Sequence, residues 1–280
     1  MSRFAFTQVD VFTTNALRGN PLAVVHAADE LDEARMQAFA RWTNLSETTF
    51  LLAPTDPGAD YRVRIFTPGG ELPFAGHPTL GSCHAWRERG GRSKVAGEVV
   101  QQCGVGLVRI KLDGAGTGAA FAAPPLTRSD VDAEELDAVL AALGTDRGRL
   151  VAAQFLKNGP NWLSLELDSA ATVLALEPDA ARMKRFASVG VVGAHPAGSE
   201  CAYEVRGFIG RPSLYEDPVT GSLNAGLGEW LIGSGRAPER YLAAQGTRLG
   251  RAGRVRIARE GTTIWVGGDT VTCIRGDVEL

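Results

Sequence analysis

Two six-residue stretches of this chain obey one pattern. His77-Pro78-Thr79-Leu80-Gly81-Ser82 and Asp217-Pro218-Val219-Thr220-Gly221-Ser222 each read His or Asp, then Pro-x-x-Gly-Ser. They stand 140 residues apart (217 − 77 = 140), half of the 280-residue length. Each follows an aromatic, strand-like segment and precedes a helix-like run, Thr79–Arg89 in the first half and Leu223–Ile232 in the second. Both runs carry small and apolar residues on most faces, and helices with so little polar surface are buried. The repeat therefore predicts an α+β fold of two pseudo-symmetric domains, each a barrel-like mixed sheet around a central helix. It also predicts one active site, in the cleft between the domains, built from both loops.

Strand signals fill the rest of the chain. Phe4–Phe12, Leu22–Ala27, Thr48–Ala53 and Tyr61–Phe66 are rich in β-branched and aromatic residues. Further strands are expected at 98–102, 106–112, 150–153, 162–167, 189–192, 202–209, 254–258, 263–266 and 270–275. Helices are fewer. Asp32 reads as an N-cap, with Leu31 and Met36 as a hydrophobic staple, and Asp132 with Glu135 forms an acidic capping box before a helix ended by Gly144. A shorter helix is expected over Asp179–Ala187. Gly114–Gly118 reads as a hairpin turn. The Ala122-Ala123-Pro124-Pro125 segment reads as a linker, so the domains are set at 1–123 and 124–280, with the last strand free to pack with the first domain.

Where a helix begins, several backbone N–H groups lack internal partners, and with the macrodipole they attract an anion. Two such starts would hold a carboxylate or a developing enolate-like charge. His77 and Asp217 precede the two prolines, one a proton carrier at neutral pH and the other a carboxylate. Glu47, in Leu45-Ser46-Glu47-Thr48-Thr49-Phe50, lies between a helix end and a strand entering the core. A partly desolvated carboxylate there is a usable carbon base or acid. The bland alternatives are that Gly-Ser merely caps two core helices and that Glu47 decorates a surface turn.

The combined residues resemble a known family. Asp10-Val11-Phe12, Gly19-Asn20-Pro21, Ser46-Glu47-Thr48-Thr49-Phe50, Arg64-Ile65-Phe66-Thr67-Pro68, Glu71–Gly81 and Glu216–Ser222 are similar to the phenazine-biosynthesis PhzF-like isomerases. The resemblance runs through nearly the whole chain. It implies a diaminopimelate-epimerase-like fold and a cofactor-independent isomerase of a small carboxylated substrate, usually a homodimer. It puts the family's catalytic residues on Glu47, His77 and Asp217, and substrate binding on Gly76, Gly221, Ser222 and Asn20. Related epimerases use a cysteine pair at the two helix starts. Gly81-Ser82 and Gly221-Ser222 are expected there instead, which points away from a two-thiol mechanism, and Cys83 is expected to be core.

Composition narrows the rest. A net charge of −3, without Lys/Arg runs, gives no reason to expect nucleic acid or an anionic membrane as partner. No apolar stretch approaches the roughly 18–20 residues that span a bilayer. The N-terminus lacks a signal-peptide pattern, and the four cysteines have no CxxC spacing, so a cytoplasmic protein with reduced thiols is expected. Four scattered histidines suggest no metal site, and no cofactor motif is present. Two other functions fit parts of the pattern. One is a hydrolase using Ser222, His77 and Asp217, although no nucleophile elbow surrounds Ser222. The other is a small-molecule-binding protein without catalysis.

Overall fold

A computed structural model describes residues 2–114, 116–211 and 214–280. The chain divides into two compact units, Met1–Ala122 with Gly267–Leu280, and Ala123–Val266. In chain order the first half contains β1 (Arg3–Val11), β2 (Asn20–Val25), α1 (Glu33–Thr43), β3 (Thr48–Leu52), β4 (Tyr61–Thr67), β5 (Gly70–Leu72), α2 (Gly76–Glu88), β6 (Glu98–Cys103), β7 (Gly106–Leu112) and β8 (Gly118–Ala122). The remainder contains β9 (Thr127–Ser129), α3 (Ala133–Leu143), β10 (Leu150–Lys157), β11 (Asn161–Leu167), α4 (Ala170–Ala175), α5 (Ala180–Met183), β12 (Ser188–Ala194), β13 (Tyr203–Ile209), β14 (Tyr215–Asp217), α6 (Gly221–Gly233), β15 (Arg240–Gln245), β16 (Gly253–Glu260) and β17 (Thr263–Glu279).

The first unit is a closed ring of eight strands. β17 pairs antiparallel with β1, and β1 with β2; β2 runs parallel to β3; β3 and β4 are antiparallel; β4 runs parallel to β6; β6, β7 and β8 follow antiparallel, and β8 returns to β17. The second unit repeats the same sequence of pairings. β10–β11 is antiparallel, β11–β12 parallel, β12–β13 antiparallel, β13–β15 parallel and β15–β16 antiparallel. In each unit a short strand folds back antiparallel on the fourth, β5 on β4 and β14 on β13, and a thirteen-residue helix follows it. These two helices, α2 and α6, are the buried ones. The expected α+β fold, of the diaminopimelate-epimerase-like kind, is the one observed.

Glycine makes the burial feasible. A Cβ at Gly81 of α2 would stand 2.6 Å from Leu22 Cδ2 and 2.9 Å from Val11 Cγ2, so the helix lies flush on β1 and β2. In the second unit the space is cut from the strand. A Cβ at Gly190 of β12 would meet Leu223 Cδ1 of α6 at 2.3 Å. The outer helices are ordinary amphipathic ones. Asp32 accepts from the Arg35 N–H at 2.7 Å, and Met36, Phe39 and Ala40 face the core; Asp132 accepts from the Glu135 N–H, and Gly144 closes α3 in the left-handed conformation.

Several expectations need correction. The central helices begin at Gly76 and Gly221, not at Thr79 and Leu223. Pro78 is the third residue of α2, where a missing N–H costs nothing because no carbonyl awaits it. The first Pro-x-x-Gly-Ser therefore lies inside its helix, whereas the second ends where its helix begins. Matched by helix position, the repeat has an offset of 145 (221 − 76 = 145) rather than 140. Only α5, capped by Asp179, forms within the expected helix 179–187, and α4 precedes it unforeseen. The two strands expected at 263–266 and 270–275 are one strand. Gly267 and Gly268 do not break it; they let Ala119 and the Phe12 ring approach its backbone. The turn at 114–118 joins β7 to β8, with the Asp113 N–H donating to Gly118 O at 2.9 Å, and its Ala115 lies outside the described residues. No helix among the described residues is long and apolar enough to cross a membrane.

Overpacking a filled interior costs about 1–3 kcal/mol. Gly81→Ala should lower the urea-unfolding free energy by that amount. Gly276→Ala, at a strand position with no atom within 4 Å of the added methyl, should change it by less than about 0.5 kcal/mol. Equal effects of the two would show that the α2 packing is not tight.

Candidate active site

In the first unit the strand β1 turns sharply at its end. Phe12 sits buried at φ 65°, in the left-handed region that a bulky residue adopts only when its surroundings impose it. The chain returns at Gly19, whose N–H donates to Asp10 Oδ2 at 2.9 Å; a Cβ there would stand 2.1 Å from the Val11 carbonyl oxygen. This turn places Asn20 at the start of β2, fully buried. Asn20 Nδ2 stands 3.4 Å from His77 Nδ1, in the first turn of α2. On the other side of the ring, His77 Nε2 lies 3.4 Å from Glu47 Oε2. Glu47 is delivered by a three-residue connection: Asn44 ends α1 in the left-handed conformation, and β3 begins at Thr48.

Charge follows from burial. Nothing counters the loss of solvent around the His77 ring, and burial holds its pKa down to about 3. The ring is therefore neutral at physiological pH, and the Glu47–His77 contact is not an ion pair. With Asn20 Nδ2 as donor, Nδ1 is the accepting nitrogen, and the ring proton sits on Nε2, the nitrogen facing Glu47. The Nε2 of a neutral ring thus lies beside a carboxylate whose side chain is 16% exposed, at a contact that is not a hydrogen bond.

In the second unit, Asp217 ends β14, and its Oδ2 accepts from Thr220 Oγ1 at 2.6 Å. Gln245, at the end of β15 and 0% exposed, clamps the same segment. Its Oε1 accepts from the Thr220 N–H (3.0 Å) and Asn224 Nδ2 (2.8 Å), while its Nε2 donates to Asp217 O (3.1 Å) and Thr220 Oγ1 (2.9 Å). Ser222, the second residue of α6, accepts at Oγ from Trp162 Nε1 (3.2 Å), and its carbonyl accepts from Asn158 Nδ2 (2.8 Å).

Neither central helix is capped by a side chain. The N-cap residues are Ala75 and Thr220, both extended, and neither makes a side-chain cap hydrogen bond. The alternative in which Gly-Ser merely caps two core helices thus finds no support. Ser82 lies inside α2, buried, donating to Thr49 Oγ1 at 2.9 Å. The first amides of each helix, at Gly76 and His77 and at Gly221 and Ser222, point out of its start and suit an anion. Cys83 is buried, and burial pushes its thiol up to about 12, as a core cysteine should be. Among the described residues, no group of three or more His, Cys, Asp or Glu is arranged to hold a metal ion.

The corrected offset changes which residues correspond. Ser222 stands where His77 stands (222 − 77 = 145), and Asp217 stands where Leu72 stands (217 − 72 = 145). His77 and Asp217 are not counterparts, because one is in a helix and the other ends a strand. By strand register the residue at the place of Glu47 is Ser188, the first of β12. Sequence reading missed Gln245, Thr220, Asn158 and Trp162. Each is a lone polar or aromatic residue whose partner is set by folding, and only the turn-forming Asn158-Gly159-Pro160 gave a local signal.

Comparison with known proteins follows the same lines. The chain is 34% identical to the trans-2,3-dihydro-3-hydroxyanthranilate isomerase of Pseudomonas aeruginosa, over 91% of this chain and 90% of that protein. It is 35% identical to antisense-enhancing sequence 1 of Schizosaccharomyces pombe, over 99% of each. The crystal structure of a PhzF-family phenazine biosynthesis protein from Bacillus anthracis superposes with a TM-score of 0.86, covering 100% of both chains, at 22% identity, a likeness of fold alone. The protein is an enzyme of the isomerase class. It belongs to the phenazine-biosynthesis-like (PhzC-PhzF) family, whose model matches residues 9–276.

The low pKa of His77 has a sign. Between about pH 3 and 6.5 the native ring binds fewer protons than the unfolded one, so its contribution to stability is full above pH 6.5 and is lost as pH falls toward 3. His26, held down to about 4 by burial and by Arg89, acts in the same direction. Urea midpoints should fall on acidification from pH 6.5 to 4, and fall less steeply in His77→Gln. Parallel curves for the two proteins would show that the ring titrates normally.

Proposed function

We propose that this enzyme is a cofactor-independent isomerase that moves a proton between carbons of a small carboxylated substrate, with Glu47 as the group that takes and returns it. The observation that carries the reading is the Glu47–His77–Asn20 arrangement. A carboxylate beside a neutral imidazole, rather than a protonated one, forms no ion pair with that ring and can act as a carbon base. Glu47 removes a proton from one carbon; the electron pair spreads along the conjugated system; the same Glu47 returns the proton to a carbon further along it. Nothing else is gained or lost. In the first unit the Gly76 amide is offered to an anionic group of a substrate; in the second unit the Gly221 amide and the Ser222 hydroxyl are offered to an anionic group, and Asp217, engaged by Thr220, to a polar one.

The relatives named as trans-2,3-dihydro-3-hydroxyanthranilate isomerases suggest a small unsaturated ring acid bearing amino or hydroxyl groups as the substrate class. The hydrolase alternative gains no support. Ser222 Oγ is an acceptor of Trp162 Nε1, and Asp217 Oδ2 is engaged by Thr220.

A panel of such acids incubated with the enzyme in D₂O should show deuterium entering one carbon by NMR. General acid–base catalysis contributes about 10²–10⁴-fold, so Glu47→Gln should lose at least about 10²-fold of that exchange while its thermal transition stays near that of the parent. Exchange at a near-normal rate in Glu47→Gln would remove Glu47 from the mechanism.

A further inference from the structure

The hairpin between β10 and β11 carries two donors to a residue some sixty positions away. Trp162 is 2% exposed and Asn158 7% exposed, and both spend a side-chain N–H on Ser222, the first at Oγ and the second at the carbonyl. An indole N–H can only donate. A serine hydroxyl has two lone pairs and one proton. With one lone pair taken by the indole, the hydroxyl keeps its proton and one lone pair, and an anionic partner, which can only accept, meets the proton.

We infer that Trp162 is a positioning residue that fixes Ser222 as a hydrogen-bond donor toward the anionic group of the substrate, with Asn158 holding the Ser222 backbone in place. The inference rests on the proposed anion-binding role of the α6 start. The ordinary explanation is that a buried indole simply needs an acceptor. Two features go beyond it. The acceptor is a hydroxyl at the second residue of an uncapped helix, where its proton adds to the first-turn amides. The first unit also repeats the device, since Asn20 at the start of β2 donates toward the ring of His77, the second residue of α2. In both units a donor from the start of the hairpin's second strand sets which polarity the second helical residue presents.

The test has two arms. In ¹⁵N-indole-labelled protein, Ser222→Ala should move the Trp162 indole N–H resonance, and Ser222→Thr, which keeps the hydroxyl, should leave it near its original position. An unmoved resonance in Ser222→Ala overturns the contact and the inference with it. In the second arm 3-hydroxyanthranilate, a stable aromatic carboxylate, is the calorimetric probe. Loss of one hydrogen bond corresponds to roughly 3- to 10-fold in affinity, so Trp162→Phe should weaken binding by that factor in the parent and have no further effect in Ser222→Ala. An equal loss in both backgrounds would reduce Trp162 to a packing residue and overturn the inference. Failure of the probe to bind the parent would count against the proposed substrate class, while the resonance arm would still decide the Trp162–Ser222 contact.

Discussion

The structure depends on one packing decision, the burial of a short helix inside each sheet. A strand ring has room for a helix only if atoms are removed somewhere. Here they are removed at Gly81 on the α2 helix and at Gly190 on the wall around α6. The consequence reaches the chemistry. The first amides of a helix have no partner within it, and Ala75 and Thr220 offer no side-chain cap. In the proposed reading those amides are the groups that meet an anion, so the packing that buries the helices also prepares the site.

Neutral side chains take a large part in organising the polar groups around these helix starts. A protonated His77 beside Glu47 would form a buried ion pair whose desolvation offsets much of its attraction. Burial instead keeps the ring neutral, and Asn20 then selects the nitrogen that carries the proton. In the second unit an uncharged glutamine does comparable work. Gln245 accepts two hydrogen bonds and donates two to hold the segment from Asp217 to Asn224, and the Thr220 hydroxyl donates to the Asp217 carboxylate.

Much of the architecture was legible in the sequence because it is written locally. Asp32, Asp132 and Gly144 mark helix ends through contacts three or four residues long, and alternation along Tyr61–Phe66 marks a strand wall. The two-fold repeat was visible too, but at the wrong offset. Proline reads as a boundary, which hid the fact that Pro78 can occupy the third position of a helix, and the matching Pro-x-x-Gly-Ser letters then drew the alignment five residues off. Glu47, His77 and Asn20 were legible through family motifs, and the structure brings them together. Trp162, Asn158 and Gln245 were not, because their roles come from contacts 21 to 64 residues away.

The corrected correspondence sharpens what divergence has done. Paired positions hold His77 and Ser222 at the helix starts, Leu72 and Asp217 in the short strands, and Glu47 and Ser188 at the entry to the third strand of each unit. In every pair one member can exchange or steer a proton, and the other is apolar or a plain hydrogen-bonding group. A racemase that takes a proton from one face and returns one to the other needs matched groups at matched places. A chain whose pairs are all unlike suits the proposed alternative, in which one carboxylate both removes the proton and puts it back.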